Sequence, residues 1–140
     1  MKIKFERVRD YTFTEKGYLT VGYWFWDKPN NQGTLTVQVT KLCDWRFEAA
    51  VWGHELIEVF YCWLRHITTE VCDAFDESYE RAYEAGTVSK SVEPGCDPKC
   101  PYHWGHMAGI VWEHICIYGT FASWTAYEKE CNRVMKISEP

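Results

Sequence analysis

Gly33-Thr-Leu-Thr-Val-Gln-Val-Thr40-Lys-Leu-Cys-Asp44-Trp-Arg-Phe-Glu-Ala-Ala-Val-Trp-Gly-His54-Glu-Leu-Ile-Glu58 is the stretch on which the fold turns. Up to Thr40 the apolar residues alternate, Leu35, Val37 and Val39 against Thr36 and Gln38, the period of a half-buried strand. After Asp44 the period becomes helical, with Phe47, Ala50, Val51, Leu56, Val59, Phe60 and Leu64 keeping one apolar side and Asp44 placed as N-cap. A chain that passes from strand period to helix period and does not return predicts an α+β fold. Its small N-terminal antiparallel sheet, a hairpin, is followed by three to four helices on one face.

Upstream, Ile3, Phe5 and Val8 are spaced like an irregular first strand, and Tyr18 to Phe25 alternates as Leu19, Val21, Tyr23 and Phe25 against Thr20, Gly22 and Trp24. The turn formers of Asp27-Lys-Pro-Asn-Asn-Gln-Gly33 predict that this strand and the next form the hairpin. Downstream, Thr68 or Thr69 caps a second helix reaching about Ala85, with Gly86 as its stop. Val88 to Cys100 carries two prolines and a glycine and reads as loop. A third helix is expected from about Tyr102 to Tyr118, ending at Gly119, and a shorter fourth from about Ser123 to Lys136. No repeat or linker interrupts this, so residues 1–140 read as a single domain, long enough to bury a core without staples.

Fifteen basic against twenty acidic residues, with no Lys/Arg cluster, argue against a nucleic-acid surface. No run is long and apolar enough for a membrane span, and Met1-Lys-Ile-Lys-Phe-Glu6 alternates rather than resembling a secretory signal. Seven cysteines are an odd number, which fits reduced thiols in a cytoplasmic protein better than a disulfide framework. Aromatic residues make up 17% of the chain, which points to a core built on large rings; an aromatic-lined groove is the alternative.

His54-Glu55-Leu-Ile-Glu58 is an HExxE run on the predicted first helix. Four residues apart, His54 and Glu58 share a helix face and can offer one metal ion a nitrogen and an oxygen, with Glu55 between them as a base toward water. This is the layout of the zinc-protease HExxH helix with Glu58 in place of the second His. A second cluster, Pro101-Tyr-His-Trp-Gly-His106 followed by Glu113-His114, sets His106 and Glu113 two turns apart on the third helix. Packed together, the two helices would form a pocket of two imidazoles and two carboxylates, an inventory that suits a divalent ion such as zinc and leaves a coordination position open. Tyr102, His103 or His114 would then steady an oxyanion. The plainer reading makes Glu55 and Glu58 solvated carboxylates with His54 as their partner.

The run Val51-Trp-Gly-His54-Glu55-Leu-Ile-Glu58, then Thr69-Glu-Val-Cys-Asp-Ala-Phe75-Asp76, then Glu93-Pro94-Gly95 and Pro101-Tyr102 with His106, resembles a group of short uncharacterised bacterial and phage proteins. These combine an HELxE helix, an FD element and an EPG…PY…H segment, and their first motif resembles that of zincin-type metallopeptidases. The resemblance covers residues 35–115. It implies that His54, Glu58 and His106 are metal ligands with Glu55 as base. Asp76 would be a further ligand or the acceptor that orients a His. Apart from the resemblance, Glu113, His103 and Tyr102 are the candidates to brace the ligands. Cys96, Cys100 and Gly105 depart from the group's pattern and create Cys96-x3-Cys100-x2-His103-x2-His106. That set could hold a separate structural zinc, although its spacing matches no finger; free thiols or a loop disulfide are the alternatives.

The expectation for function is therefore a metal-dependent, zincin-like hydrolase acting on an unidentified substrate, a peptide or protein. The alternative is a non-catalytic metal-binding or protein-interaction module, phage-encoded in keeping with the resemblance. An open coordination position facing a cleft would favour the enzyme.

Overall fold

The structure, a computed structural model, describes residues 1–8, 12–13 and 19–136. Among the described residues, five strands, β1 (Lys2–Val8), β2 (Thr12–Phe13), β3 (Leu19–Thr20), β4 (Gly22–Lys28) and β5 (Gln32–Thr40), precede four helices. These are α1 (Trp45–Leu64), α2 (Thr69–Glu84), α3 (His103–Gly119) and α4 (Trp124–Met135), with a 3-10 turn at Pro94–Cys96. The arrangement is the α+β order expected from the change of period. The expected strand start at Tyr18 lies outside the described residues.

The main sheet has the order β1-β5-β4. β4 and β5 form the antiparallel hairpin, and both strands run further than the alternation implied, leaving only 29–31 as the turn. Asn30 and Asn31 make this possible: both take positive φ, 60° and 56°, which asparagine tolerates better than most side chains. The sheet is mixed rather than purely antiparallel, because β1 pairs with β5 in parallel, Ile3 opposite Leu35 and Arg7 opposite Val39. The added strand makes β5 central, and Leu35, Val37 and Val39 are essentially inaccessible.

The helix starts follow from their caps. Asp44 accepts from Arg46 N, Thr68 from Val71 N and Ser123 from Ala126 N, each satisfying an N–H that the first turn leaves free. α1 lies on the sheet and packs along α3, which forms the outer layer. Two apolar clusters result. One joins Val39, Phe47, Ala50 and Val51 to Ile117, Tyr127 and Val134; the other joins Trp24, Leu35, Val37, Val59 and Cys62 to Cys72, Cys100 and Tyr102. On α1, His54 and Glu58 stand between the residues serving the first cluster and those serving the second. Among the described residues, no helix is long and apolar enough to cross a membrane.

Candidate metal centre

α1 contributes His54 and Glu58 from one face, and α3 contributes His106 from the facing side. All three are nearly buried, at 6%, 9% and 8% exposure. His54 Nε2 lies 3.1 Å from His106 Nδ1, Glu58 Oε2 lies 3.0 Å from His106 Nδ1, and the same oxygen is 3.4 Å from His54 Nε2. Three donor atoms on a tetrahedral zinc with bonds of about 2.0–2.1 Å would be separated by about 3.3–3.4 Å. The trio is thus a slightly contracted face of such a tetrahedron.

Each member is held from behind. Glu113, seven residues along α3 from His106, sets its carboxylate against His54 Nδ1. Glu93, just before the 3-10 turn, meets His106 Nε2 at 2.8 Å. The Trp24 indole N–H on β4 donates to Glu58 Oε1 at 3.1 Å, which leaves Oε2 facing the imidazoles. Carboxylates on the far nitrogens of metal-binding histidines fix ring orientation and raise donor strength.

Charge follows from this geometry. Burial opposes a charge on His54, but the carboxylates of Glu113 and Glu58 outweigh it and raise the pKa to about 10. His106 is likewise raised against burial, by the Cys96 thiol and the Glu58 and Glu93 carboxylates. Glu58 is held below the usual carboxylate range, hydrogen bonds from His106 and His54 overcoming its burial. Two imidazolium N–H groups cannot both point into a 3.1 Å nitrogen–nitrogen gap without repulsion. A divalent cation between the three donors would remove that conflict.

Glu55 lies beside the trio but, among the described residues, makes no hydrogen bond to it. Its carboxylate occupies the space that a side chain at Gly22, the first residue of β4, would fill. Burial, with the Glu58 charge close by, pushes its pKa well up.

The structure does not bring every expected residue to this centre. Asp76, expected as a ligand or a His-orienting acceptor, accepts from the Tyr102 hydroxyl, and Tyr102 meets His106 edge-on with ring centroids 6.2 Å apart. His103 bonds the Gly95 carbonyl through Nδ1 at 2.8 Å, so it braces the 3-10 turn rather than a ligand. His114 bonds the Ile110 carbonyl at 2.9 Å and stacks on Trp124 at 3.8 Å, facing α4. The Cys2His2 set is not assembled: Cys100 is buried in the second apolar cluster, Cys96 is exposed, and both are free thiols.

Two contributors had no assigned role in the sequence. Trp24 was legible only as a strand residue. Glu93 was visible in the Glu-Pro-Gly run, but no spacing rule links it to a histidine thirteen residues on. A cavity of about 460 Å³ lies elsewhere, lined by Cys43, Phe47, Lys129 and Arg133 among others, and includes no member of the trio. No protein-family model matches this chain, and no curated protein or solved structure matches it.

Proposed function

We propose that this chain is a metal-dependent, zincin-like hydrolase that uses a divalent ion, zinc by its donor chemistry, to cleave a peptide or protein substrate. The observation that carries the reading is the paired backing of the imidazoles. Nε2 of His54 and Nδ1 of His106 converge with Glu58 Oε2, while Glu113 and Glu93 occupy the opposite ring nitrogens. A bound ion would supply Lewis-acid polarisation of a carbonyl and make water more acidic. His54, His106 and Glu58 would hold it, with Trp24 fixing the Glu58 rotamer. Glu55, next to His54 on α1, would take the proton from attacking water, its raised pKa suiting a base that works near neutral pH. Seven free thiols suit a reducing compartment, and the proposal places the protein in the cytoplasm.

The test is metal analysis on untagged protein, followed by incubation of the zinc-loaded form with a mixed peptide library read by mass spectrometry. Cleavage lost in Glu55→Gln with zinc retained supports the reading. A zinc-loaded wild type that cleaves nothing overturns it.

Two observations favour a second reading, a non-catalytic metal-binding and protein-interaction module, phage-encoded as the resemblance suggests. The trio is nearly closed to solvent, and α3 exposes an apolar row of Trp104, Val111, Ile115 and Tyr118. Metal bound without turnover is the outcome that selects it.

A further inference from the structure

We propose that Glu93, Cys96 and the outward nitrogen of His106 form a second metal site, which shares the His106 ring with the inner centre and takes a thiolate-binding divalent ion. One ligand atom from each residue can be chosen so that all three lie within 4.8 Å of one another, with His106 Nε2 and Glu93 Oε2 at 2.8 Å. The proposal extends the metal reading and needs His106, but it does not need Glu55 or hydrolysis.

The chain builds this trio locally. In a 3-10 turn, side chains three residues apart eclipse one another, which brings Glu93 and Cys96 to the same side. The turn is closed by the Cys96 N–H donating to the Glu93 carbonyl at 3.1 Å, and Pro94 fixes φ at its first position. Gly95 is buried against the His106 ring, and any Cβ there would collide with the imidazole. The close approach that presents Nε2 to Glu93 and Cys96 therefore needs glycine at 95. His103 holds the Gly95 carbonyl at 2.8 Å, and Tyr79 donates to Asp97 at 2.6 Å on the far side of the turn. The three donors stand on a braced turn and a helix.

The donor set differs in kind from the inner one. A thiolate, an imidazole and a carboxylate suit zinc or cobalt and disfavour magnesium or calcium, which prefer oxygen alone. Glu93 and Cys96 are exposed, so solvent can complete the coordination. When both sites fill, two metal–nitrogen bonds form on one ring. The remaining ring N–H proton and the Cys96 S–H proton pass to solvent as the outer nitrogen–metal and sulfur–metal bonds form.

Cobalt(II) titration of the full chain under a phosphine reductant tests this. Two equivalents are expected in wild type, the second bringing a near-ultraviolet thiolate-to-cobalt charge-transfer band. Cys96→Ser should bind one equivalent without that band, its visible cobalt spectrum matching the first equivalent of wild type. His54→Ala should keep the band while losing the inner equivalent, which separates failure of the inner centre from failure of the outer one. Saturation of wild type without a thiolate band, or a band that survives Cys96→Ser, overturns the proposal.

Discussion

The His54 ring occupies the place of the side chain that Gly109 lacks: a Cβ at 109 would stand 2.7 Å from the imidazole Cγ. α1 and α3 can approach as closely as they do at His54 only because that position is bare. Gly109→Ala should raise intrinsic helix propensity by about 0.8–1 kcal/mol, yet the clash pushes the ring of a buried ligand aside. The expected result is a zinc affinity at least about tenfold weaker, measured by chelator competition. Unchanged affinity would show that His54 does not need its observed position to bind.

Glu113 tests the backing of that same ring. Glu113→Gln removes the charge from the neighbourhood of Nδ1 while keeping the side chain's size. Loss of such a partner typically costs about 10–100-fold in metal affinity or activity. Isothermal titration with zinc should show a drop in that range with little change in circular dichroism, whereas wild-type affinity would reduce Glu113 to a bystander.

Trp24→Phe removes the indole N–H that fixes Glu58 Oε1 and keeps most of the ring's packing. A hydrogen bond to a charged group contributes about 1.5–3 kcal/mol. Thermal unfolding of the metal-free variant should show lower stability, and zinc should bind more weakly because Oε2 is no longer held toward the imidazoles. A variant matching wild type on both measures would mean Glu58 is oriented by the histidines alone.

The two glutamates of the HExxE run should separate. Glu58→Gln is expected to weaken zinc binding, since Oε2 lies 3.0 Å from His106 Nδ1 among the converging donors. Glu55→Gln should leave zinc in place and remove only hydrolysis. Equal zinc loss in both variants, read by atomic absorption after dialysis, would refute this division.

The metal-free protein should be most stable near pH 5. His54 has its pKa raised from 6.5 to about 10, so its contribution is complete below 6.5 and is lost as pH climbs toward 10. Glu58 is lowered from 4.5, so its contribution is present above 4.5 and is lost as pH falls further. Glu55, raised from 4.5, adds to the decline on the alkaline side. Melting temperatures recorded in chelator should therefore fall between pH 5 and pH 9; a rise over that interval would contradict the charge pattern of the cluster.

Helix starts were legible because they depend on neighbours in sequence. Asp44, Thr68 and Ser123 cap by bonding an N–H two or three residues ahead, and the hairpin declares itself through its asparagines. The parallel pairing of β1 was not, since nothing in Lys2–Val8 says which edge of the hairpin it joins. Within α3, residues 106, 109 and 113 recur at intervals of three and four and face α1. His114 is turned about 100° from Glu113 and finds Trp124 instead. Asp76 and Tyr102 pair across twenty-six positions, a relation that becomes visible only when α2 is set beside the start of α3.

The donor trio sits between two apolar clusters, each built from other residues. If the trio holds an ion as proposed, the surrounding core would gather the three donors during folding, and the entropy of gathering them would be lost there rather than at capture. On the proposed reading, a receptacle prepared in this way would fill on encounter and would surrender its cargo to a stronger chelator without unravelling. Any metal that a sample carried would then reflect the solution with which it last equilibrated, more than the conditions under which it was synthesised.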